Sequence, residues 1–120
     1  MAKGADKRLR DALLAAEELA SFTASKSLTD YIQDTGLRRI VERLLEIIGE
    51  ATNQAIRIEP ELVDVIPDAL FIVGMRNRIA HGYDDLKDDV IWDAATLDVP
   101  ALAEVLRALL DQRQRSGGNP

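Results

Sequence analysis

The chain has 120 residues, enough for one domain around a single core. Apolar residues make up 47%, yet only two Tyr, two Phe and one Trp are aromatic, which favours a helical bundle over a β-sandwich. With no cysteine the chain excludes disulfides, thiolate metal sites and cysteine nucleophiles, and a net charge of −6 argues against a protein that coats nucleic acid.

The N-terminal stretch Met1-Ala-Lys-Gly-Ala-Asp-Lys-Arg has no apolar segment behind it that would make a secretory signal. No apolar run approaches the roughly 20 residues needed to cross a bilayer. The expected location is the cytoplasm, with no membrane partner. A first helix is predicted from about Lys7 to about Phe22, with Leu9, Leu13, Ala16, Leu19 and Ala20 as its buried stripe. The polar stretch Thr23-Ala-Ser-Lys-Ser reads as a turn. Thr29 or Asp30 is the expected cap of a short helix carrying Tyr31 and Ile32. A longer helix should run from roughly Gly36 to Ile56. Its apolar positions Leu37, Ile40, Val41, Leu44, Leu45, Ile47, Ile48 and Ala51 are broad enough to face two neighbours.

Pro60 introduces a break, because a proline disfavours helix at the preceding residue. Pro67 fits the first turn of the next helix, where its missing N–H is harmless. That helix should end close to His81, with Gly82 as the left-handed residue beyond it. After an acidic linker, Asp89 to about Ala95 forms a short helix around Trp92, a core residue. A last helix spans about Pro100 to Gln112, with Leu102, Val105, Leu106, Leu109 and Leu110 inward. The expectation is one all-α domain over residues 1–112, followed by a frayed tail over 113–120.

The run Met75-Arg-Asn-Arg-Ile-Ala-His-Gly-Tyr83 holds the chain's single histidine. Histidine is the side chain whose ordinary pKa lies near neutrality, and arginine grips phosphate through a planar fork of donors. On a helix Asn77 and His81 share a face, so Asn77 could orient the imidazole. At a helix C-terminus the macrodipole favours the imidazolium form, suited to a general acid or a phosphate ligand. Metal-free RNA cleavage needs a base for the 2′-hydroxyl, an acid for the departing 5′-oxygen and cationic groups on the phosphate. One chain supplies one histidine; a twofold dimer would supply two, with two copies of Arg76. Bland alternatives stand beside this: His81 as a helix cap, Arg76 and Arg78 as solvated or paired cations, and Arg38, Arg39 and Arg43 as an exposed face.

The spacing Arg76, Asn77, three residues, His81, Gly82, Tyr83 resembles the HEPN superfamily, and within it the HepT-type toxins of toxin–antitoxin pairs. The segment Glu46-Ile-Ile-Gly-Glu-Ala51 and the Val-Ile-Trp92 after the motif extend the resemblance from about Leu37 to Leu110. What it implies is a four-to-five-helix up-and-down fold, a homodimer, and metal-independent endoribonuclease activity at the dimer cleft without a cofactor. Arg76 and His81 would be catalytic, with Asn77 supporting. Arg78, Arg43, Arg39 and Glu50 are candidate cleft or RNA-binding residues, Glu50 being equally readable as a structural carboxylate. The implied partner is a minimal nucleotidyltransferase antitoxin that transfers AMP from ATP to Tyr83. The alternative is a non-catalytic nucleotide- or RNA-binding subunit of such a nucleotidyltransferase.

Overall fold

A computed structural model describes residues 3–80 and 87–117, and all of the regular structure in them is helical. The elements are α1 (Lys3–Thr23), α2 (Leu28–Gln33), α3 (Thr35–Ile58), α4 (Ala69–Ala80), α5 (Asp88–Asp93) and α6 (Val99–Gly117), with a 3₁₀ turn at Pro60–Asp64. The expected end of α4 at His81 and the Gly82 cap lie outside the described residues, as does Tyr83.

Local chemistry sets most of the boundaries. Ser27, not Thr29 or Asp30, caps α2: its hydroxyl accepts from the Asp30 N–H at 3.1 Å. Asp30 completes the box by accepting from the Ser27 N–H at 2.9 Å. Asp34 caps α3 by accepting from the Leu37 N–H at 3.1 Å. Pro67 stands outside α4 rather than in its first turn. The helix begins after Asp68, whose φ of 58° is left-handed and whose carbonyl accepts the Ile72 N–H at 3.0 Å.

The two helices expected around Trp92 and after Pro100 are one continuous rod. A π-helical turn at Ala94–Asp98 joins α5 to α6. Pro100 has no N–H for the Thr96 carbonyl and its ring crowds that position, so a widened turn just before it relieves the clash. Helix α6 also runs past Gln112 to Gly117. Arg113, assigned by the sequence to a frayed tail, is fixed by Asp6 of α1 and Glu59 at 2.7 to 2.8 Å.

The core lies where α1, α3 and α6 meet. Leu9, Leu19, Val41, Ile48, Leu102 and Leu106 are 2% exposed or less and form its centre. Ala12 and Ala15 are buried in α1, whereas Leu13 is half-buried and Ala20 is exposed. The small alanines let α1 approach α3, which turns the α1 stripe away from the one read from the large residues. Tyr31 of α2 stacks on Trp92 with ring centroids 5.3 Å apart, and the Arg38 guanidinium lies 5.1 Å over the Tyr31 ring. Arg38 also pairs with Asp88 at 3.0 Å, tying α3 to the start of α5.

Candidate active site

The centre of α3 reads Ile47-Ile48-Gly49-Glu50, and Gly49 is where α4 crosses. A Cβ at Gly49 would stand 3.0 Å from the Ile72 carbonyl oxygen and 3.1 Å from Cγ of Arg76, and would overlap Cβ of Arg76. Only glycine permits this crossing. It places the Arg76 side chain directly against the next residue of α3, Glu50.

Arg76 is held by a fork. Its Nη2 donates to Oε1 of Glu50 and its Nη1 to Oδ1 of Asn77. Glu50 Oε2 accepts from Nε2 of Gln54, one helical turn on, at 2.7 Å. Both carboxylate oxygens are therefore engaged. The Gln54 hydrogen bond holds the Glu50 carboxyl below its ordinary pKa, helped by the charge and hydrogen bond of Arg76 and by Arg57, against the effect of burial. The Arg76 side chain remains 31% exposed, so the guanidinium is oriented from below and open to solvent.

Of the residues singled out from the sequence, Arg76, Asn77 and Glu50 come together here. Glu50 lies in the site as an ionised orienting group, and Asn77 is bonded to Arg76. His81 and Tyr83 follow α4 but lie outside the described residues. Arg78 is half-buried on the same helix. Arg43 and Glu50 line one cavity of about 460 Å³ between α1 and α3, whereas Arg39 and Arg43 line a second of about 350 Å³ beside it. Arg76 lines neither of these cavities. The sequence reading missed Gln54, although its i, i+4 relation to Glu50 is the spacing at which helical neighbours meet. Nothing in the sequence around Gly49 marks the helix crossing there. Among the described residues no group of three or more His, Asp or Glu side chains is placed to hold a metal ion.

Residues 12–109 match the family of HepT-like ribonucleases. The chain belongs to that family. The matched span contains the Gly49 crossing, Glu50 and Arg76, so the geometry above is that of the HepT-like domain itself. Among curated proteins, the probable ribonuclease HepT of Thermococcus cleftensis is 31% identical over 98 residues, covering 78% of this chain and 84% of its own. Several others carry the name "Putative RNase". That of Caldanaerobacter subterraneus is 30% identical and covers 73% of this chain and 78% of its own length. One from Methanocaldococcus jannaschii is 24% identical, covering 85% and 84%. No solved structure gives a significant match. The resemblance drawn from the Arg76 motif thus holds at the level of the family.

Proposed function

We propose that this HepT-like protein is a metal-independent RNA endonuclease, working as a homodimer in the cytoplasm. The supporting observation is the Arg76 guanidinium, held by Glu50 and Asn77 and open to solvent, five residues before the motif's histidine in the sequence. A phosphodiester entering beside Arg76 meets a fork already oriented, which is most valuable as charge builds on the non-bridging phosphate oxygens.

In the reaction the 2′-oxygen attacks phosphorus, forming the P–O2′ bond as the P–O5′ bond breaks. A base takes the 2′ proton and an acid returns one to the 5′-oxygen, leaving a cyclic phosphate and a 5′-hydroxyl. His81 is assigned the proton transfer, with its copy in the second chain supplying the complementary role. Tyr83 is assigned to control: its hydroxyl attacks the α-phosphorus of ATP on a nucleotidyltransferase antitoxin, with loss of pyrophosphate. The AMP ester adds bulk and negative charge beside the phosphate site.

The test is cleavage of a mixed RNA by purified protein in the presence of EDTA, with Arg76→Ala and His81→Ala as controls. Cleavage by wild type alone, with cyclic-phosphate ends, supports the nuclease. Binding of RNA without cleavage would replace it by the non-catalytic subunit. Tyr83→Phe should cleave normally and escape modification, so an inactive Tyr83→Phe protein would count against Tyr83 as the control point.

A further inference from the structure

The exposed side of α3 carries an ordered set of charges. Arg39, Arg43, Glu46 and Glu50 fall within a stripe about 60° wide, at about 100° per residue. In sequence order their signs are positive, positive, negative, negative. The pairs 39 with 50 and 43 with 46 share one midpoint, between Leu44 and Leu45. A helix with this pattern is complementary to itself when turned end for end about that point.

Apolar surface lies along the same face. Half-buried Ile40 and Ile47 border the charged stripe, and α1 contributes Leu14 at 59% exposure and Phe22 at 39%. Together they line the two adjoining cavities between α1 and α3. Arg39 and Arg43 are exposed, and neither they nor Glu46 has an ion-pair partner among the described residues. Other charges reach the face from α1. Arg8 pairs with Asp11 at 3.5 Å at the Glu50 end, and Glu18 lines both cavities beside Arg43. They moderate the contrast between the two ends without reversing it.

We propose that a second copy of this chain covers the α1–α3 face, with the two α3 helices antiparallel about a twofold axis between Leu44 and Leu45. Arg43 then meets Glu46 of the second copy, and Arg39 meets Glu50 of the second copy, each twice by symmetry. This rests on the dimeric reading above and names its face and register. Its consequence lies in the site. Glu50 stands about 8 Å along α3 from the axis at 1.5 Å per residue, so each Arg76–Glu50 pair receives Arg39 of the other copy. The second cation shares the Glu50 carboxylate and leaves more of the Arg76 fork for a phosphate. Arg39 thus acts in trans as a positioning residue, and a monomer lacks it.

The experiment is sedimentation equilibrium of wild type, Arg43→Glu, Glu46→Arg and the double variant Arg43→Glu/Glu46→Arg, with helix content checked by circular dichroism. Each single reversal puts like charges together twice and should weaken dimerisation at least tenfold; the double reversal should restore it. Mixing Arg39→Cys with Glu50→Cys should give an interchain disulfide that neither forms alone, since each of these positions lies about 16 Å along the helices from its own copy at 1.5 Å per residue and the chain has no other cysteine. A monomeric wild type would overturn the proposal, as it would if the face served a different protein. A dimer indifferent to both reversals would also overturn it, and would point to another exposed apolar face such as Leu70 and Phe71. RNA cleavage by the same samples separates the readings. Cleavage by a reversal-insensitive dimer sinks this interface alone, whereas an inactive but reversal-sensitive dimer sinks the nuclease alone.

Discussion

Gly49 of α3 leaves open the space that Arg76 of α4 fills, so the position of the candidate catalytic arginine depends on the absence of one methyl group. A Cβ there would also press on the Ile72 carbonyl at 3.0 Å, and backbone cannot swing aside as a side-chain tip can. Gly49→Ala should therefore separate α3 from α4 even though alanine favours helix. The expected cost is about 1–3 kcal/mol by overpacking, less the roughly 1 kcal/mol that alanine returns in helix propensity. RNA cleavage should fall more than stability does, because the Arg76 fork moves off Glu50. Thermal unfolding and cleavage rate measured on the same preparation test this; unchanged values in both would show that the crossing tolerates a side chain.

The Glu50 carboxyl is held below the ordinary value of 4.5, first by Gln54 and then by Arg76. A folded-state pKa below the unfolded one means the pair contributes fully above the unfolded pKa. That contribution is lost as pH falls through the folded value. Carbon-detected NMR titration of the Glu50 side chain should give a midpoint under 4.5. Gln54→Leu should move that midpoint upward, and Arg76→Ala should do so as well. A midpoint at the ordinary value, unmoved by either change, would mean that the carboxylate does not orient the arginine.

The features legible in the sequence were those fixed by local periodicity. The broad apolar face of α3 and the leucines of α6 marked two core helices. Trp92 was assigned to the core and is 8% exposed. The Arg76 motif gave the family, which the match over residues 12–109 shows. The remainder depended on distant neighbours. Ala12 and Ala15 are buried where α1 packs against its neighbouring helices, which a search for large apolar residues passes over. Pro100 reads as a helix start because prolines favour first turns, yet here a π turn accommodates it inside a longer rod. Gly49 stands in the sequence only as part of the Glu46–Ala51 segment; its reason appears when Arg76 is placed beside it. Gln54 was visible by spacing, but nothing local said that Glu50 needed a partner.

Arg113 closes the bundle at its far end. Its Nη1 donates to Asp6 at 2.7 Å and to Glu59 at 2.8 Å, and its Nη2 to Glu59 at 2.7 Å. Glu59 is 7% exposed and follows α3, so removing Arg113 leaves a nearly buried carboxylate unpaired. Breaking such a pair costs about 3–5 kcal/mol when fully buried. The quarter exposure of the Arg113 side chain brings the expectation for Arg113→Ala down to about 2 kcal/mol. Truncation after Gln112 should cost at least as much, since it removes the same clamp and the last turn of α6. Urea unfolding of both proteins provides the check. A truncated chain as stable as the full one would show that the C-terminal segment is dispensable.

Tyr31 offers the opposite sign. Its side chain is fully buried against Trp92, and its hydroxyl has no hydrogen-bond partner among the described residues. Burial, reinforced by Glu42 and opposed by Arg38, pushes its pKa up to about 12. A buried hydroxyl without a partner costs about 1–3 kcal/mol in lost hydration. Tyr31→Phe keeps the ring, the Trp92 stack and the Arg38 contact while removing only that oxygen. It should therefore raise stability, by about 1 kcal/mol, where most core substitutions lower it. The advantage should widen above pH 10. The folded state resists ionisation until about 12, while the unfolded tyrosine titrates at its ordinary value of 10.0, so wild type loses stability there as its unfolded state releases the proton. Denaturant unfolding at pH 7 and pH 11 measures both effects. A loss of stability at neutral pH would mean that the hydroxyl is satisfied after all, and that Tyr31 is polar by requirement rather than by tolerance.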